Sequence, residues 1–132
     1  MSEANLWREQ VEAVADKAAP NATILHHRSS MWYLVLVERR RQDLTLVDPF
    51  HHNPKAQYAY IVWPADLSLE ETDRRYGTDD FSGVTSARIA AKKGPVYLLP
   101  SALVPDPERY EAVGFEVVEV EENILYRLIP QE

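Results

Sequence analysis

The chain has 132 residues, of which 45% are apolar, and it contains no cysteine. That is the size of one domain with enough apolar material for a core, so composition argues against disorder, and disulfides, Cys-ligated zinc, Fe–S clusters and thiol nucleophiles are excluded. The formal net charge of −7 repels phosphate backbones, and nucleic acid is not an expected partner.

The one basic cluster, Arg39-Arg40-Arg41, reads as cations at a helix C-terminus, where they suit the macrodipole; a phosphate or anionic-lipid contact is the competing reading. The longest apolar run, Met31 to Val37, is far short of the ~20 residues that span a bilayer. The N-terminus lacks a basic start followed by an apolar stretch, so no signal peptide is expected. The chain reads either as a cytoplasmic protein or as a piece of something larger.

In chain order, Asn5 to Ala19 carries a helical pattern, with Leu6, Val11, Val14 and Ala18 on one face, and Pro20 stops it. Ala22 to Leu25 is a short buried strand, and His26-His27-Arg28-Ser29-Ser30 is a polar break. Met31 to Val37 suits a buried strand or a buried helix. The helix is preferred because Ser29 or Ser30 can cap it and the run continues without a turn signal to Arg41. Asp43 to Val47 is a second strand, ended by Asp48-Pro49.

Phe50 to Gln57 is a loop, and Tyr58 to Trp63 alternates like a strand, closed by Pro64. Ser68-Leu69-Glu70-Glu71 has capping-box spacing and opens a helix to Gly77. Asp80 or Ser82 starts the next helix, which runs to Lys93, with Gly94 at a left-handed C-terminal position. Val96 to Leu99 is a strand. Asp106-Pro107 pairs a capping acid with a first-turn proline, starting a helix that ends at Gly114. Phe115 to Val120 and Ile124 to Ile129 form a hairpin across Glu121-Glu122-Asn123. The whole is a single α/β domain over residues 1–132. We expect a Rossmann-like, mostly parallel sheet with helices on both faces and a C-terminal antiparallel hairpin.

In open parallel sheets, ligands sit outside the carboxyl ends of the strands. The candidate ligand-binding residues there are His26, His27, Arg28, Ser29, Asp48, His51, His52 and Ser101. If the first two strands are neighbours, all four histidines face one edge together with Asp48 and Arg28. Imidazoles and a carboxylate can ligate zinc or manganese, but no HExxH or HxH spacing is present and adjacent residues in an extended segment point apart. Loop histidines that hydrogen-bond locally are preferred over a metal centre, and no cofactor is expected. A GxGxxG after the first strand, a Walker A sequence and a GxSxG elbow are all missing. Ser101 reads as a cap. Tyr58, Tyr60 and Trp63 read as sheet face rather than as a sugar-stacking platform.

The stretch Ala22 to Phe50, with Trp32-Tyr33-Leu34, Val37-Glu38, Arg41 and Asp43-Leu44-Thr45-Leu46-Val47, resembles a segment of bacterial protein-O-mannosyltransferase-like membrane proteins of the GT-C type. There a soluble segment follows the membrane helices. Gly94-Pro95-Val96-Tyr97-Leu98-Leu99, Gly114-Phe115-Glu116-Val117 and Leu125-Tyr126-Arg127-Leu128 are similar to the tail of such proteins. In that class the catalytic acids lie in the membrane-embedded part, so no catalytic residue carries over. The resemblance implies an extracytoplasmic, non-catalytic accessory or ligand-binding domain of a polytopic glycosyltransferase-like protein. Residues 1–20 would be a membrane-proximal linker, the partner would be the parent's membrane-embedded part, and a small molecule or glycan would be the ligand. The alternatives are a stand-alone, cytoplasmic small α/β enzyme with a His/Asp site at the ends of strands 1 and 2, and a protein–protein module that uses the last strand as a sheet edge guarded by Arg127.

Overall fold

Three short apolar strands form the centre of the molecule: β1 (Thr23–Leu25), β2 (Thr45–Asp48) and β4 (Val96–Leu98). β1 pairs in parallel with both neighbours, Ile24 opposite Leu46 on one side and Tyr97 on the other. In a strand, successive side chains point to opposite faces. Both faces are buried here, so these strands read as continuous apolar runs rather than alternating ones. The computed structural model describes residues 3–27, 29–48, 61–63, 84–101 and 106–131.

Around this centre lie β3 (Ile61–Trp63), β5 (Phe115–Glu121) and β6 (Leu125–Pro130). The six strands form one sheet in the order β3-β2-β1-β4-β6-β5. β3 is antiparallel to β2, β6 is antiparallel to β4, and β5 and β6 form the hairpin. The sheet is therefore mixed. Its parallel part is the central trio, and antiparallel strands flank it on both sides, where the sequence reading placed them at the C-terminal side alone. The last strand is not an edge either: β6 lies between β4 and β5, so Arg127 guards no edge, and the hairpin's first arm, β5, is outermost at that side.

The helices divide between the faces. α1 (Glu3–Lys17) buries Val11 and Val14, and Ala18 just past its end, against Ile24, Leu46 and Tyr97. The opposite face holds Leu25, Val47, Val96 and Leu98, covered by α2 (Val84–Ala91) through Ala87 and Ala90 and by α3 (Pro107–Ala112) through Tyr110. Leu6, expected on the buried stripe of α1, is 43% exposed. Trp7, spaced i, i+4, i+7 from Val11 and Val14, takes that place instead.

Between β1 and β2 the expected helix is present, but its main part, Tyr33–Val37, is π-helical. The Glu38 amide reaches back five residues to the Tyr33 carbonyl at 2.9 Å. The Ser29 hydroxyl accepts the Met31 N–H at 3.1 Å and so caps its start. The arginine cluster then serves a different helix. The Arg41 guanidinium donates to the carbonyls of Val14, Ala15 and Ala19, at and just past the C-terminal end of α1, where carbonyls run short of intrahelical donors; the Val14 carbonyl also accepts the Ala18 N–H at 3.1 Å. Arg40 pairs with Glu12 and Glu38.

Two expected caps differ. Gly94 does not adopt a left-handed conformation; the positive φ among the described glycines is at Gly114, 98°. Gly94 is instead a close-approach position, since a Cβ there would lie 3.4 Å from the Asn21 carbonyl oxygen. Asp106 precedes α3, with Pro107 in its first turn as expected, but the Asp106 side chain makes no cap hydrogen bond. Its backbone carbonyl accepts the Arg109 N–H at 3.0 Å instead. The helix expected over Ser68 to Gly77 lies outside the described residues. No described helix is long and apolar enough to cross a membrane.

Candidate functional site

The carboxyl ends of β1, β2 and β4 lie side by side. The β1–β2 ladder continues one step past β1, where the His26 amide donates to the Val47 carbonyl at 3.1 Å. This carries the following residue level with the end of β2. There, His27 Nδ1 lies 3.0 Å from Asp48 Oδ1. The Asp48 side chain is fully buried and that of His27 is 11% exposed. A carboxylate oxygen only accepts, so Nδ1–H donates, and Nε2 of the neutral ring is left as an acceptor.

His26 turns the other way. It is fully buried, its ring stands edge-to-face on Trp32 at 5.2 Å, and Nδ1 lies 3.0 Å from Ser29 Oγ. Ser29 Oγ also accepts the Met31 N–H, and with one proton and two lone pairs it can either donate to Nδ1 or accept from it; the other ring nitrogen is Nε2. That nitrogen has no hydrogen-bond partner among the described residues. Burial pushes His26 down to about 4, opposed by the negative charge of Asp48 and assisted by His27. His26 is thus held neutral across the physiological range.

His27 opens onto a groove of about 280 Å³ lined by Leu6, Trp7, Gln10, Ser29, Ser30 and Ser101. Ser30 Oγ donates to Gln10 Oε1 at 3.1 Å, which fixes the carboxamide. Its NH₂ makes no hydrogen bond among the described residues. Larger depressions of about 570 and 610 Å³ lie elsewhere, one between α1 and the β5–β6 turn and one beside α3. Glu and Asp dominate their linings, as expected of a solvated acidic surface, and neither holds a buried polar anchor like the His27–Asp48 pair.

Of the sequence candidates, the structure brings His27, Ser29, Asp48 and Ser101 to one region, with His26 behind them in the core. Arg28, His51 and His52 lie outside the described residues. Among the described residues no three His, Asp or Glu side chains converge as metal ligands. Sequence reasoning missed Trp7, Gln10 and Ser30. The signal for the first two was the spacing of Trp7 and Gln10 with Val11 and Val14 along one side of α1, but nothing in the sequence says that this side crosses the β1 loop. No protein-family model, curated protein or solved structure matches this chain.

Proposed function

We propose that the chain is a non-catalytic ligand-binding domain whose site is the groove at His27. The observation that carries the reading is the His27–Asp48 hydrogen bond: a buried acid holds one nitrogen of an imidazole that lines a groove together with polar side chains. Placement agrees with this. Strand order reverses direction at β1, with β2 on one side and β4 on the other. Ligands of α/β sheets favour the crevice outside the carboxyl ends at such a reversal. His27 follows β1 and Ser101 follows β4, so the groove straddles that position, which supports a Rossmann-like reading of the fold.

The resemblance to GT-C type membrane proteins supplies the context of this proposal: an extracytoplasmic accessory domain of a polytopic glycosyltransferase-like parent. An antibody raised against the domain tests it on fractionated source cells. The expected result is a membrane-bound polypeptide much larger than 15.2 kDa. A band of that size in the fraction free of membranes contradicts it.

One observation favours the enzyme reading. Asp48, His27 and Ser101 follow or end three adjacent strands, and His27 and Ser101 share the groove, the spatial order of an acid, a base and a nucleophile. His27 and Ser101 make no hydrogen bond with each other. A fluorophosphonate probe with intact-mass detection separates the readings: no adduct is expected, and stoichiometric labelling lost in Ser101→Ala would establish the enzyme.

A further inference from the structure

We infer that the groove takes a neutral, hydroxyl-bearing ligand, a sugar or polyol with adjacent hydroxyls, held between an acceptor on His27 and a donor on Gln10. This rests on the reading of the groove as a ligand site and names the ligand's chemistry. Asp48 takes the Nδ1 proton of His27, so Nε2 presents a lone pair. Ser30 occupies the Gln10 carbonyl oxygen, so that side chain presents N–H donors.

A hydroxyl both donates and accepts. One hydroxyl can bridge the two groups, and two adjacent hydroxyls can satisfy them separately. A carboxylate or a phosphate dianion has only lone pairs to set against the lone pair of Nε2, and the described lining holds no lysine or arginine. Leu6 and Trp7 complete the lining with apolar surface, which suits the C–H face of a sugar ring better than a strongly hydrated ion. A site built on hydrogen bonds to hydroxyls discriminates because its polar groups are left unpaired by ligands that lack them.

The test is an NMR titration of ¹⁵N-labelled protein with methyl α-D-mannopyranoside, myo-inositol and inorganic phosphate, following the His27 imidazole nitrogens and the Gln10 side-chain amide. The expected result is that at least one of the two polyols moves both sets of signals and phosphate moves neither. Gln10→Glu keeps an acceptor for Ser30 but removes the NH₂ donor, and it should weaken polyol binding about tenfold or more, the effect of one lost hydrogen bond. Phosphate binding there without polyol binding overturns the ligand class and leaves the ligand-site reading standing. No response to any probe overturns both. Polyol binding that Gln10→Glu leaves unchanged overturns the two-point recognition.

Discussion

His26 and His27 are neighbours in sequence with opposite chemistry. Burial without a full set of partners keeps His26 neutral, whereas His27 is oriented by a carboxylate and meets the groove. The depressed value of His26 makes stability depend on pH. The unfolded imidazole titrates near 6.5 and the folded one near 4, so between these values only the unfolded chain takes up the proton. Stability is therefore fully present above pH 6.5 and falls as pH drops towards 4, by about 3 kcal/mol in total. Urea unfolding at pH 7 and pH 4.5 should show this loss in the wild type and a much smaller one in His26→Phe; equal losses in both would remove His26 as the cause. At Asp48, replacement by Ala leaves the His27 N–H without its acceptor in a buried setting. It should cost roughly 1–3 kcal/mol in the same assay and release the ring. The presence of His26, His27 and Asp48 at strand ends was legible in the sequence because polar residues broke apolar runs. Their division of labour was not, because it depends on which way each side chain turns from a shared backbone.

Among the elements, the Tyr33–Val37 segment and the end of α1 depend on each other. Arg41 has φ 49°, a left-handed conformation that costs a non-glycine residue about 1 kcal/mol or more. Its guanidinium makes three hydrogen bonds to carbonyls at and just past the end of α1, and Asp43 holds the same group in place. Arg41 in turn draws the Asp43 carboxyl down to about 2. Arg41→Gly relieves the backbone and deletes the cap, so it isolates the side chain. It should still lower the unfolding midpoint, by an amount equivalent to about 1–2 kcal/mol, and Arg41→Lys should not restore it because an ammonium cannot fork across three carbonyls. A midpoint at or above wild type in Arg41→Gly would mean the cap is worthless. The arginine cluster was legible as a helix-capping device, but the helix it caps lies more than twenty residues upstream, and no local pattern reports such a pairing. The π-helical hydrogen bonding was equally hidden: a run of seven apolar residues gives a length but not a hydrogen-bond register.

At the scale of the whole molecule, the two-sided burial of the central strands decides the architecture. Ile24 belongs to the core under α1 and Leu25 to the core under α2 and α3. Truncating either one to Ala should cost about 2–5 kcal/mol, with similar losses on both faces; a loss confined to one face would mean the other is not a true core. The βα alternation and the C-terminal hairpin were legible because their signals are local: strand runs, turn residues and the Asp106-Pro107 start. The antiparallel pairing of β3 with β2 was not, since strand direction is set by where the connecting chain crosses. The groove follows from this order, because its lining combines residues that follow β1 and β4 with Leu6, Trp7 and Gln10 of α1.

The measurement that tests the account most directly is the tautomer of His27, read from long-range ¹H–¹⁵N correlations of the imidazole at pH 8. The expected state has the proton on Nδ1, held by Asp48, and Nε2 bare towards the groove. A proton on Nε2 would contradict it, because the groove would then present a donor where the proposed ligand chemistry requires an acceptor.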